Sequence, residues 1–194
     1  MACNICNELA AIKATLAEHG DKLSILLTGV GTLLGSAPAG TTLNPADKAA
    51  AITLSGGNLI ATRGAGTAYA NARSTSSKNA GQLYVEVTAN VVNATPSEHA
   101  IIGLQAAGAS LTDFMGNQTP YSIGYYADGN EYHDGGINLV SGGAISSTEV
   151  AAIAINFDTG KAWVRDASGW AGGGDPAADS SPTYTFPANT TFFL

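Results

Sequence analysis

At 194 residues and 45% hydrophobic content the chain can bury a sizeable core, which argues against global disorder and leaves room for one ordinary domain plus a further segment. The net charge is −7 with only eight Lys and Arg, so the clustered cations that a phosphate-backbone binder needs are missing and nucleic acid is a poor partner. No run of about 18 apolar residues occurs, which excludes a helical membrane span.

In chain order, the start Met1-Ala2-Cys3-Asn4 lacks the basic and apolar regions of a secretory signal, so synthesis in a cytoplasm is expected. From there apolar residues fall at Ile5, Leu9, Ile12, Leu16, Leu23, Leu26, Val30 and Leu33, in steps of four and three once His19 is counted in the seam. That is a heptad pattern, with Leu9, Leu16, Leu23 and Val30 at a and Ile5, Ile12, His19, Leu26 and Leu33 at d. Leu at a with Ile at d favours three or four strands over two, and a homotrimer is the expected assembly. The alternative is one amphipathic helix laid on the rest of the protein. His19 in the seam suits a polar layer that fixes register, or a ring of imidazoles around an ion. Gly29 and Gly31 weaken a regular helix beyond about Thr28. Cys3 and Cys6 form a C-x-x-C with no second Cys or His pair nearby, which leaves free thiols or inter-subunit crosslinks and no metal site.

Gly35-Ser36-Ala37-Pro38-Ala39-Gly40 is a small-residue hinge. The expected organisation is therefore a helical oligomerisation segment over 1–34, a linker over 35–41, and a β domain over 42–194. Short strand-like runs then recur between turn signals: Ala51–Leu54, Asn58–Thr62, Gln82–Ala89, Ala100–Gln105, Ser122–Tyr126, Gly136–Leu139, Ala151–Phe157, Ala162–Arg165 and Thr183–Phe186. With 24 glycines and no intervening helical pattern, these runs predict a mainly β fold, an antiparallel two-sheet sandwich. Tyr84-Val85-Glu86-Val87 alternates cleanly, with Glu86 on the face opposite Val85 and Val87.

The clearest stretch runs from Val150 to Trp170. Ile153, Ile155 and Phe157 alternate with Ala154 and Asn156, Asp158-Thr159-Gly160-Lys161 supplies a tight turn, and Ala162-Trp163-Val164 returns as a second strand. Trp163 is expected to face inward and hold the two sheets together.

On these residues the chain resembles SPRY domains, the concanavalin-like jelly-roll sandwiches, in the version carried by bacteriophage structural proteins. The likeness extends from Leu43 to the end. Leu43-Asn44-Pro45-Ala46-Asp47-Lys48 resembles the family's opening, and Gly81-Gln82-Leu83-Tyr84-Val85-Glu86-Val87 resembles its "G-K-W-Y-F-E-V" strand with Leu83 in place of Trp. Ile102-Gly103-Leu104 resembles the next core strand. Ser122–Tyr126 with Asp128-Gly129 and Tyr132-His133 resembles "G-Y-x-x-D-G-x-x-x-H", and Gly169-Trp170 with Gly173-Gly174-Asp175-Pro176 resembles the late "G-x-W…G-D-P" stretch. The family continues into a final strand after its "F-F-P-A" stretch. Because this chain stops at Leu194, an open edge is expected, left by truncation or covered by another subunit.

Glucanases of related fold set two or three carboxylates on one strand face, whereas Glu86 stands alone on its strand. Asp166, Asp175 and Asp179 read as solvated turn residues. Neither a G-x-S-x-G elbow nor a phosphate loop occurs, so no enzyme activity, no catalytic residue and no cofactor are expected. The resemblance places aromatic residues around loops that SPRY-type domains use for partners. Tyr126, Tyr132, His133 and Trp170 are the ligand-binding candidates, with Tyr132 and Trp170 facing outward. Because Tyr125 and Tyr126 alternate, one of them must belong to the core.

Two functions follow from the sequence. The first is a phage virion protein, a capsid decoration, head fibre or tail-fibre component at the particle surface. Its N-terminal segment would join other virion proteins while the sandwich meets host glycan or protein. The second is a cellular carbohydrate-binding module or lectin without a virion role.

Overall fold

The computed structural model describes residues 41–64, 69–90, 100–117, 122–133, 135–138 and 145–194. The heptad positions Ile5, Leu9, Ile12, Leu16, His19, Leu23, Leu26 and Val30, the two cysteines and the hinge up to Gly40 lie outside the described residues.

The alternation around Val150 builds the central pair of strands. With strands numbered in chain order, β10 (Val150–Asn156) pairs antiparallel with β11 (Lys161–Asp166), and Gly160 takes φ 67° in the turn between them. That turn holds Gly160 so close to Phe186 that a Cβ there would lie 1.9 Å from its carbonyl oxygen, so only glycine fits. Asn156 Oδ1 accepts the backbone N–H groups of Asp158 and Thr159 and fixes the turn from its first side. On the other edge of β10 lies β5 (Gln82–Thr88), in register from Val150↔Thr88 to Asn156↔Gln82. β12 (Gly169–Trp170) and β13 (Tyr184–Thr185) share the far edge of β11 end to end, which completes the first five-stranded sheet.

The second sheet runs β14-β6-β7-β8-β9, with β6 Ala100–Ala106, β7 Ser122–Tyr126, β8 Glu131–His133, β9 Gly136–Asn138 and β14 Phe192–Phe193. Two hairpin-like pairs complete the described strands. β1 (Leu43–Lys48) pairs with β4 (Ala72–Ser74), and β2 (Ile52–Ser55) pairs with β3 (Ile60–Arg63). Pro45 is tolerated because β1 is irregular between Leu43 and Lys48, where no ladder donor is required. Arg73 of β4 makes a two-pronged ion pair with Asp47 of β1 and donates to the Ala106 carbonyl, tying this pair to β6.

The two five-stranded sheets close on one core. Leu83, Val85, Val87, Ala151, Ile153, Ile155, Ala162 and Val164 meet Ile102, Leu104, Ile123, Tyr125 and Phe192, with Phe157, Tyr184 and Phe186 filling one end. Each Ile or Phe fully removed from water contributes roughly 1.5–3 kcal/mol, which is why the period-two pattern dominates the choice of fold. All nine strands expected from the sequence occur, with ends shifted by one or two residues; β1, β4, β8, β12 and β14 were not expected. At the edge of β6, where the sequence left a strand in question, β14 pairs with two of the seven residues. Phe192 and Phe193 pair with Ala106 and Gln105 of β6, and Leu194 exchanges hydrogen bonds with Ser74.

Trp163 requires a correction. It is buried, at 1% exposure, but it sits opposite Ala154 on the face of β11 turned away from the second sheet. Its small neighbours Ala162 and Val164 are the ones that enter the core between the sheets. The loop after β12 roofs Trp163. The indole Nε1 donates to the Ser180 carbonyl at 2.8 Å, and Gly174 passes so close that a Cβ would stand 2.7 Å from Cδ1.

Candidate functional site

Cross-strand pairing lays out the outer face of the β5–β10–β11 sheet in three rows. Gln82, Asn156 and Lys161 form the first, Tyr84, Ala154 and Trp163 the second, and Glu86, Ala152, Arg165 and Trp170 the third. Paired residues of an antiparallel ladder share a face. In the second and third rows the central strand therefore carries only the small Ala154 and Ala152, between large side chains on both neighbours. A trough of about 480 Å³ results, floored by Ala154, walled by Tyr84 and Trp170, and rimmed by Asp175, Pro176 and Ala177.

Tyr84 is 47% exposed, which is high for so large an apolar ring. Its ring meets Trp170 edge to face, centroids 6.1 Å apart at 63°. The phenol donates to Glu86 Oε1, and this bond, more than partial burial, raises the Tyr84 pKa. Arg165 lies 5.9 Å over the Trp170 ring and 4.0 Å from Glu86 Oε1, so the half-buried indole is held from behind.

The rim is held in place by backbone turns and one knot of polar groups. Asp175 Oδ1 accepts the N–H groups of Ala177 and Ala178, and Asp175 and Ser180 exchange backbone hydrogen bonds. Asp179 accepts from Lys161, Asn156 and Thr159, and the Lys161 bond is the main reason its carboxyl is held below the usual range. Asp179 is thus a tie between the loop and the β10–β11 turn.

The structure separates the four candidates taken from the sequence. Tyr126 and Tyr132 are corrected as surface residues: they are 1% and 8% exposed and lie beneath the loop that follows β6. Tyr132 pairs with Gly124, so it shares the outer face of the second sheet with Tyr126, and the residues of that loop cover both. The Tyr126 and Tyr132 rings touch edge to face at 4.6 Å, and each contacts Phe114. The Tyr126 hydroxyl donates to the Met115 carbonyl and the Tyr132 hydroxyl to Asp128. Burial raises both phenol pKa values, that of Tyr132 to about 12, with the Asp128 bond as its second cause. His133 pairs with Ile123 and so points inward, where its ring stacks 4.5 Å from Tyr184 beside a smaller hollow of about 350 Å³ lined by Pro182, Thr183 and Thr185. Trp170 alone of the four lies in the trough. Asp166, expected in solvent, is 4% exposed and accepts a hydrogen bond from Tyr125.

The arrangement of two five-stranded sheets, with long loops roofing both outer faces, can be set beside known structures. The human HERC1 SPRY domain is similar with a TM-score of 0.59 and 14% identity, covering 78% of this chain and 86% of that one. The TRIM65 PSpry domain is similar with a TM-score of 0.53 and 17% identity, covering 79% of this chain and 81% of that one. The fold is that of a SPRY domain. Stonustoxin contains a region similar to this SPRY sandwich (TM-score 0.50, 15% identity, 79% of this chain), although the chain spans only 24% of stonustoxin's length. No family model matches the sequence, and no curated protein does.

Among the described residues of the SPRY sandwich, no group of three or more His, Cys, Asp or Glu is placed to hold a metal ion, and no helix is long and apolar enough to cross a membrane. Sequence reasoning missed Tyr84, Gln82 and Asp175 as site residues. The signal for the first two was present: the alternation that buries Leu83 and Val85 puts Gln82, Tyr84 and Glu86 on the other face, and a large ring there has no structural need to be exposed.

Proposed function

We propose that the chain is a binding and display protein of a bacteriophage particle, whose sandwich carries a contact surface on the outer face of the β5–β10–β11 sheet. The observation that carries the binding role is the pair of exposed Tyr84 and partly exposed Trp170 beside a floor formed by Ala154. A stably folded sandwich gains nothing by leaving two aromatic rings at an open trough, while a partner-facing surface does. The virion setting is supported by the ordered set of sequence motifs that resemble those of phage-type SPRY proteins. The heptad over residues 1–34 supports a trimer that joins other virion proteins at its N-terminal end.

Quantitative mass spectrometry of purified particles tests the setting. Copy numbers in fixed ratio to a known capsid or tail protein are expected. Absence from particles, with the protein recovered from the cell, favours the cellular lectin. Removal of residues 1–34 should leave a folded sandwich that is monomeric in light scattering, and a trimer after truncation would place the interface in the sandwich instead.

A further inference from the structure

The geometry points to a neutral saccharide as the ligand of the Tyr84–Trp170 trough, an assignment that rests on the attachment role above and names its chemistry. A pyranose ring presents a face of C–H groups and a rim of hydroxyls that both donate and accept hydrogen bonds. The trough offers the complement to each. Tyr84 and Trp170, inclined at 63°, form an aromatic corner for the C–H face. Gln82, exposed on the sheet, and Asp175 on the rim place an amide and a carboxylate beside it for the hydroxyls. The volume, about 480 Å³, lies in the range of roughly 300–1,000 Å³ typical of small-ligand clefts.

Two observations favour a sugar over a peptide or an anion. The floor is the face of a sheet, and β10 is hydrogen-bonded along both edges, to β5 and to β11. A peptide main chain laid across that face would find no backbone partner and would lose its own hydrogen bonds to water. The cations of the face, Arg165 and Lys161, are each engaged by a carboxylate, Glu86 and Asp179. With Asp175 also at the rim, an anionic ligand would meet repulsion, whereas neutral hydroxyls can donate to these oxygens.

The test uses the full chain on a printed array of neutral oligosaccharides of glucose, galactose, mannose and N-acetylglucosamine, with sialylated and sulfated members as the anionic set. The best neutral oligosaccharide is then titrated by tryptophan fluorescence, because Trp163 and Trp170 are the chain's two tryptophans and both line the trough, Trp170 partly exposed on its wall and Trp163 buried at 1% exposure. Binding to neutral members is expected, with a fluorescence change that is lost in Trp170→Phe. At least a tenfold loss of affinity is expected in Tyr84→Ala. Gln82→Ala, at an exposed position, keeps the test valid should Tyr84→Ala unfold, with a several-fold loss expected. Binding confined to anionic members, no binding to any member, or affinity unchanged in both variants would overturn the assignment. Particles that carry the chain but give no array signal overturn this site and leave the virion role. Saccharide binding by a chain absent from particles does the reverse.

Discussion

Tyr125 of β7 reaches across the sandwich and donates a hydrogen bond of 3.1 Å to Asp166 Oδ2 at the end of β11. Both residues are buried, and Asp166 also accepts from the backbone N–H and hydroxyl of Ser168. The contact is a polar tie between the two sheets, set at the point where β11 turns into β12. It fixes the start of the strand that carries Trp170, so a core tyrosine and the trough wall are linked through one carboxylate.

Tyr125→Phe keeps the ring in the core and removes this donor. A buried carboxylate that loses one of its partners costs about 1–3 kcal/mol, so urea unfolding should show that decrease with an unchanged denaturant slope. A change below about 0.5 kcal/mol would show that the Ser168 groups alone satisfy Asp166.

Tyr132 should behave as a core residue. Its truncation to Ala removes a ring packed on Tyr126 and Phe114 and is expected to cost about 3–5 kcal/mol, whereas Tyr132→Phe loses only the bond to Asp128 and should cost about 0.5–3 kcal/mol. Equal melting temperatures for Tyr132→Ala and the parent would return this residue to the surface.

The same phenol sets an alkaline limit. Its folded pKa, about 12, lies above the unfolded value of about 10, so its contribution to stability is complete below pH ~10 and is lost as pH rises toward 12. Tyr126, raised in the same direction by burial, adds to the decline. Stability measured from pH 8 to 12 should fall beyond pH ~10, and Tyr132→Phe should flatten part of that fall. Asp179 contributes to the acid limb. Its pKa is lowered in the fold, so its contribution is present above its usual value of 3.8 and is lost as pH falls through the folded value. Asp179→Asn should make the acid limb shallower.

The two tryptophans should separate cleanly in thermal melts. Trp163→Ala empties the space under the roofing loop and should cost about 3–5 kcal/mol, much of the stability of a domain this size. Trp170→Ala removes a half-buried ring that meets Tyr84 edge to face and lies under Arg165, and should cost about 1 kcal/mol. A similar loss at both positions would make Trp170 a structural residue.

Packing beneath the other roofing loop gives an independent check. A Cβ at Gly103 would lie 2.2 Å from both the Ile123 carbonyl oxygen and Met115 Sδ, and one at Gly124 would lie 2.7 Å from Tyr126 Cε2. Gly103→Ala should therefore destabilise by about 1–3 kcal/mol or more through overpacking. Gly124→Ala should cost less if the Tyr126 ring can shift, and urea midpoints for the two variants give the comparison.

What the sequence by itself determined is the part governed by local alternation. Ile153, Ile155 and Phe157 had one possible face once their neighbours were small or polar, and Gly160 had to make the turn, because period two and backbone sterics act within a few residues. The same rule put Glu86 opposite Val85 and Val87. Tertiary structure decided everything that depends on what lies above a face. Alternation puts Trp163 opposite Ala162 and Val164, but only the sheet packing says that the alanine and valine face the core, and only the loop through Gly174 and Ser180 says that the indole is covered. Tyr126 and Tyr132 look like surface residues beside turns until the segment carrying Phe114 and Met115 folds over them. The trough itself exists because pairing register brings the small Ala154 between Tyr84 and Trp163, residues about 80 positions apart in the chain that become neighbours across one strand. Register over such distances is set by the burial of the whole sheet, and no window of sequence contains it.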